Sequence, residues 1–310
     1  MRRTGWQPFL YLAPAGVLLL AFSIYPLLHA FDMSLQTEWL KESQHYVGLR
    51  NYTTLLASRD FWNALDVSVW YVLGTVPATL VLGFLLANLL FQKLRGLGLY
   101  RTIYFLPYVT STVAAAMVWR WVLAPGHRGV ANTVLGWFGC GPIGWYNEPR
   151  GVFALVADGL GVHLPAWAAG PSLALVTVIL FGIWHALGFC VVIFLAGLSA
   201  LPREVYEAAE VDGAGSWQKL RHITLPLLSP TLYFLAIIST IRAFQTFNEF
   251  FVLTSEQCTG STQSLTMLIF NQCYNEFHYG TATAAAVVLF AIMLALTALQ
   301  MRVVGRRVYY

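Results

Sequence analysis

The chain has 310 residues, 58% of them apolar and only 10% charged, with a formal net charge of +4. Soluble domains carry about 25% charged residues, so a soluble enzyme is excluded. Apolar runs of about 20 to 26 residues exclude a disordered chain, and exclude an outer-membrane barrel, whose strands alternate over ~10 residues. In chain order, spans are predicted at residues 8–31, 67–91, 103–123, 172–196, 227–252 and 281–301. The expected fold is all-α: a polytopic membrane protein with six transmembrane helices and one domain over residues 1–310. The first run follows Arg2 and Arg3 and is longer than the ~7–15 apolar residues of a signal peptide, so it reads as a retained helix.

Placing both termini in the cytoplasm puts Arg2, Arg3, Lys93, Arg95, Arg101, Arg203, Lys219, Arg221, Arg302, Arg306 and Arg307 inside. Lys41, Arg50, Arg59, Arg128 and Arg150 then lie outside, with Arg120 and Arg242 at membrane depth. That asymmetry follows the excess of cations on cytoplasmic loops. The same scatter of cations along span edges gives no phosphate-binding face, so nucleic acid is not an expected partner. Lipid is. Outside the membrane, Leu49, Tyr52, Leu55 and Leu56 recur at helical spacing and predict a short surface helix. The segment 124–171 is rich in Gly, Pro and Trp. Its apolar middle, Val152 to Val156, is interrupted by Asp158, His163 and Pro165 and is not expected to span. Cys258 and Cys273 share the polar loop 253–280, either as a disulfide or as two free thiols. The four cysteines have no zinc-ligand spacing, and no metal site is expected.

The polar segment 197–226 has more local order than a linker. Pro202 suits a helix start, Glu204 and Glu207 fall in the early turns that the helix dipole favours, and Ala208 and Ala209 are strong helix formers. Asp212 and Gly213 end that helix, and a second short helix is predicted from Ser216 to Ile223 before Pro226 restarts the chain. Small residues at Ala208, Ala209 and Gly213 leave a surface suited to close docking on another protein.

The residues Glu207-Ala208-Ala209, Gly213, Ile223, Leu225 and Pro226 match in type and spacing the pattern EAA-x3-G-x9-I-x-LP. In this the chain resembles the membrane permease subunits of binding-protein-dependent, ATP-driven importers. "FLYLAPAGVLLLAFSIYPLLHAF", "VGLRNY", "LYRTIYFLPYVTSTVAAAMVWRWVLAPGHRGVAN" and "FQTFNEFFVLT" are similar to the carbohydrate-uptake branch of that family. It departs from that branch at Ser255-Glu256-Gln257, where Gly-Gly-Pro is common, and at residues 152–171, which resemble an insertion.

The resemblance implies a permease in a bacterial or archaeal cytoplasmic (inner) membrane, carrying a sugar or related polyol. It implies three partners: a second permease subunit, a dimer of cytoplasmic ATPase subunits and an extracytoplasmic solute-binding protein. Glu207, Ala208, Ala209, Asp212, Gly213, Ile223, Leu225 and Pro226 would form the contact through which the ATPase drives transport. The chain itself has no GxxxxGK[ST] motif, so ATP and Mg belong to the partner ATPase and no cofactor is expected on this chain. It also lacks HExxH and GxSxG, which argues against an intramembrane enzyme, and internal inverted repeats, which argues against an ion-driven carrier.

Polar groups at membrane depth are costly and face cavities or partner helices. On a continuous helix of about 100° per residue, Ser239, Arg242, Gln245, Thr246 and Glu249 share a stripe about 120° wide, with Asn248 just off it. This stripe either contacts a hydroxyl-rich solute or packs against a partner subunit. His185 reads as a hydrogen-bonded packing residue, and Arg120, between Trp119 and Trp121, as an interfacial anchor.

Overall fold

The computed structural model describes residues 7–37, 45–91, 96–139, 141–165, 168–254 and 260–303. Arg2, Arg3, Lys41, Lys93, Arg95, Arg306, Arg307, Cys140 and Cys258 lie outside the described residues, as does the departure at Ser255-Glu256-Gln257. Among the described residues every regular element is a helix, and pairing of extended backbone is limited to isolated bridges, Gln36 with Tyr46 and Gly151 with Ser172. Helices suit an apolar chain because they satisfy their backbone hydrogen bonds internally. Four helical runs are long and apolar enough to cross a membrane: Phe9–Met33, Arg59–Phe91, Leu173–Ser199 and Tyr279–Val303. Two further runs qualify only as bent pairs, Gly98–Val109 with Thr112–Val122 and Ser216–Leu227 with Ser229–Phe244, so the predicted span 103–123 is bent, while 227–252 is interrupted after Phe244.

Residues 1–62 and 268–292 form one unit. Its first run joins α1 (Gln7–Leu19) to α2 (Tyr25–Met33) through one π-helical turn at Leu20–Ile24. This run buries none of its apolar length, as a lipid-facing helix would. The expected surface helix is present as α3 (Arg50–Ala57). It is tied down by polar contacts that periodicity does not foretell. The Asn51 amide donates to the carbonyls of Ser34 and Gln36, each at 2.8 Å, and the Ser34 and Tyr52 hydroxyls are 2.6 Å apart. Cys273 is a free thiol in a π-helical turn, Asn271–Asn275.

Residues 63–267 and 293–310 form the second unit. It contains most of α4 (Arg59–Phe91), then α5 (Leu97–Val109), α6 (Thr112–Val122), α7 (Val130–Trp137) and α8 (Val152–Gly159). Next come α9 (Leu173–Ser199), α10 (Arg203–Val211), α11 (Ser216–Lys219), α12 (Leu225–Leu227), α13 (Ser229–Phe244) and α14 (Asn248–Thr254). Helix α15 (Leu265–Phe270) is divided between the two units, as is the long α16 (Tyr279–Val303), whose residues 279–292 belong to the first. As expected, the apolar middle of 124–171 forms only the eight-residue helix α8.

The bend between α5 and α6 is 96°. Pro107 withholds a backbone donor, and Thr110 is extended (φ −70°, ψ 144°), its hydroxyl and amide both donating to the Leu106 carbonyl. The chain restarts at Ser111, whose carbonyl accepts from Ala115. The bend of 64° ahead of α13 falls at Leu228, between Pro226 and Pro230. A third interruption, at Gln245–Phe247, separates α13 from α14.

Two apolar cores hold this unit. One gathers Tyr71, Leu175, Val178, Phe181, Phe250 and Leu253; the other gathers Phe84, Cys190, Phe194, Leu198, Leu228 and Leu235. Edge-to-face rings, Tyr71 on Phe250 at 5.0 Å and Phe84 on Phe194 at 5.7 Å, lock helices together. Helix α5 seats directly on α9 because Gly188 has no side chain; a methyl there would strike the Tyr104 carbonyl. Buried Asn132 organises the segment after α6, donating to the Ala124 and Ile143 carbonyls and accepting from the Ile143 amide and the Trp145 indole.

Candidate functional site

Two places in the second unit carry the residues singled out by sequence. The first is the turn from α10 into α11. Helix α10 ends where expected, with Asp212 as the last cap and Gly213 left-handed at φ +74°. The Ala214 amide donates to the Ala209 carbonyl at 2.9 Å and the Gly213 amide to the Glu210 carbonyl at 3.1 Å. These two bonds make a complete Schellman stop, which needs a residue with no Cβ penalty at Gly213.

The hairpin is braced further. Lys219 Nζ lies 2.8 Å from Glu210 Oε1, the Tyr206 and Thr224 hydroxyls are 2.8 Å apart, and the Gln218 side chain accepts from the Gly215 amide. The Lys219 ammonium holds the Glu210 carboxyl below the ordinary carboxylate range. Glu207, Ala208, Asp212, Gly213 and Leu225 are exposed, and Ala209, Ile223 and Pro226 are half-buried. The predicted second helix, Ser216 to Ile223, is α11 followed by a π-helical turn at Leu220–Thr224. Two apolar side chains stand out from the hairpin, Val211 at 89% and Trp217 at 68% exposure.

The second place is a cavity of about 180 Å³ walled by α4, α5, α9, α13 and α14. Of the predicted stripe, Ser239, Arg242, Thr246 and Glu249 line it, while Gln245 and Asn248 do not. The stripe assumed a continuous helix, and the break at Gln245–Phe247 ends that continuity. Gln245 becomes the C-terminal cap of α13 and Asn248 the exposed first residue of α14.

Arg242 Nη1 donates to the Tyr108 hydroxyl at 2.6 Å, and its guanidinium lies 4.7 Å from the Phe189 ring centre and 5.6 Å from that of Tyr108. Tyr108 and Phe189 are themselves stacked at 5.2 Å, so the cation rests on a two-ring platform. His185 also lines the cavity, 3.3 Å from the Thr112 hydroxyl and stacked on Phe181, consistent with a packing role. Arg120 donates to the Val252 carbonyl and lies over the Tyr146 ring, away from this cavity.

Sequence reading passed over Tyr71, Thr75 and Thr79, which supply the α4 wall. Their spacing of four residues within an apolar run is the signal that marks them. The Thr79 hydroxyl is buried without a hydrogen-bond partner, the residue being only 1% exposed. Unpartnered hydroxyls on a cavity wall are ready to bond a polar solute, since leaving them empty costs stability.

The model of the family described as binding-protein-dependent transport system inner membrane component matches residues 79–309. The chain belongs to this family. This permease is 31% identical over 297 residues to the trehalose/maltose transport system permease protein MalF of Thermococcus litoralis, covering 95% of the chain and 92% of that relative. It is 30% identical over 305 residues to the sn-glycerol-3-phosphate transport system permease protein UgpA of Agrobacterium fabrum, covering 98% and 96%. Its fold is similar, with a TM-score of 0.79 at 22% identity, to a chain in the crystal structure of a bacterial ABC transporter involved in the import of the acidic polysaccharide alginate, covering 97% of this chain and 96% of that one. The permease is therefore a transport component of a membrane and not an enzyme.

Proposed function

We propose that this permease is one of two membrane subunits of an ATP-driven importer and provides part of the route by which a sugar or related polyol crosses the bacterial or archaeal cytoplasmic membrane. The observation that carries the reading is the α10–α11 hairpin. It has the EAA spacing, a complete helix stop at Gly213, internal bracing, and two large apolar side chains left in the open. Exposed apolar side chains on a rigid turn favour a partner protein over water. A motor that closes on ATP biases a transporter only through an element it grips differently in its two states, and a braced hairpin transmits such a push without deforming.

On this reading Glu207, Ala208, Ala209, Asp212, Gly213, Ile223, Leu225 and Pro226 shape the face offered to a dimer of ATPase subunits, which hold the ATP and Mg. Both termini are placed in the cytoplasm, a reading supported by the excess of cations on that side in the sequence. A solute-binding protein delivers the cargo from outside, in keeping with the alginate transporter of similar fold, seen in complex with a periplasmic protein bound to an alginate pentasaccharide. The second permease, a paralogue or another copy of this chain, closes the pathway, and Ser239, Arg242, Thr246 and Glu249 meet the solute on the way.

Gly213→Trp tests the coupling role. The site is open, with no atom within 4 Å of an added Cβ, so the chain still inserts, but φ +74° is lost and a bulky ring enters the docking face. Reconstituted with its partners, the variant is expected to hydrolyse ATP while solute uptake falls to background. Undiminished uptake refutes the docking role.

A further inference from the structure

The cavity around Arg242 holds a cation that no carboxylate among the described residues pairs within 4 Å. Of the five N–H donors of the guanidinium, the structure pairs one, and its acceptor is the neutral Tyr108 hydroxyl. The rings of Phe189 and Tyr108 support the flat faces of the group and leave its edge open to the cavity. Glu249, the carboxylate on the cavity wall, makes no ion pair with it within 4 Å. Arg242 is exposed in this chain, so its remaining donors are open to an oxyanion, which they would hold in a forked bond. Thr79 adds an unpartnered hydroxyl to the same wall and is almost fully buried.

We infer that this cavity binds a hydroxyl-rich solute bearing one oxyanion, a carboxylate or a phosphate, with the oxyanion on Arg242 and hydroxyls on Thr79 and Glu249. The inference rests on the importer reading above and narrows it from sugars and polyols in general to acidic ones. The cavity, at about 180 Å³, is smaller than the ~300–1,000 Å³ of pockets for drug-sized ligands, so it holds one acidic unit of a solute at a time. Arginine suits the task better than lysine because its planar fork matches both oxyanions.

The test uses the assembled complex of this permease, its partner permease and the ATPase pair in lipid nanodiscs, without the solute-binding protein, whose own selectivity is thereby removed. Saturation-transfer NMR titrations compare galacturonate with galactose, and sn-glycerol 3-phosphate with glycerol. At least one acidic probe is expected to bind about tenfold more tightly than its neutral counterpart, in line with the worth of a charge-assisted hydrogen bond. Preference for galacturonate alone identifies a carboxylate site, and preference for the phosphate alone a phosphate site. Arg242→Gln is expected to abolish the preference and Arg242→Lys to keep part of it. Equal binding within both pairs, or a preference that survives Arg242→Gln, overturns the inference. If Arg242→Gln does not assemble, the wild-type comparison decides. ATP-driven uptake by the whole importer with its binding protein is measured in parallel. Its absence for every solute that protein carries removes the importer reading, whereas intact uptake without acidic preference removes only the oxyanion site.

Discussion

The hairpin from Pro202 to Pro226 takes its shape from near neighbours in sequence, whereas the cavity at Arg242 draws its walls from α4, α5, α9, α13 and α14. Every bond of the hairpin turn joins residues fewer than twenty positions apart: Ala214 to Ala209, Gly213 to Glu210, Lys219 to Glu210, Tyr206 to Thr224. The bond that sets the cavity's cation joins Arg242 to Tyr108, 134 positions away. The turn of the first region is set by local bonds, although Leu220 beyond that turn packs against the core that contains Phe194. The second depends on packing between distant helices, and a substitution in the core beneath it should therefore reach further.

Phe194→Ala makes the sharpest break between the two. Phe194 is fully buried against Phe84 in the core that also contains Cys190, which lines the cavity. Losing the ring leaves a void costing on the order of 3 kcal/mol, the low end for such truncations because an unfolded span still rests in lipid. The expected result is a clear fall in thermal midpoint in detergent and loss of transport, with amide exchange at Gly213 and Ala214 unchanged. Hairpin amides that loosen together with the core would show that the two regions are not independent.

Thr79→Val is the intermediate case. Its hydroxyl has no partner, so replacing it with a methyl leaves the thermal midpoint unchanged or slightly raised. Its expected effect is functional, a rise of about two- to tenfold in the solute concentration for half-maximal uptake, the range of one neutral hydrogen bond. Unaltered uptake would remove Thr79 from the solute's route.

Glu210→Gln gives the smallest effect and tests the hairpin alone. Lys219 lowers the Glu210 pKa, so the pair supports the fold above the ordinary carboxyl value of 4.5 and loses that support as pH falls through the lowered one. Protection of the Ala214 amide, corrected for the intrinsic slowing of exchange in acid, should fall as pH drops below the ordinary carboxyl value of 4.5, and Glu210→Gln should flatten that fall. A pH response identical in both proteins would show that the pair does not brace the turn.

The same contrast explains what the sequence made legible. Helix content, the surface helix at Arg50–Ala57 and the stop at Asp212-Gly213 all follow from periodicity, capping and glycine, which act over one or two turns. The break at Gln245–Phe247 was not legible. No Pro or Gly marks it, and the Thr246 carbonyl is held instead by the Thr266 hydroxyl, twenty residues on. The straight wheel therefore put Gln245 with Arg242, while the structure replaces it with Tyr71, Thr75 and Thr79 from α4. Likewise the 96° bend at Thr110–Ser111 arises from side-chain bonds that compete with the helix, and the run 103–123 is apolar enough to conceal it.

That bend has a mechanical corollary. Gly188 seats α5 on α9, while α6 packs against α14, and only two extended residues connect α5 to α6. If α9 shifts relative to α14 during a transport cycle, Thr110 and Ser111 act as the joint that absorbs the displacement. Tyr108, one turn before that joint, would then carry its grip on Arg242 along with α9, so a rearrangement of the helices would retune the cation's surroundings with each stroke.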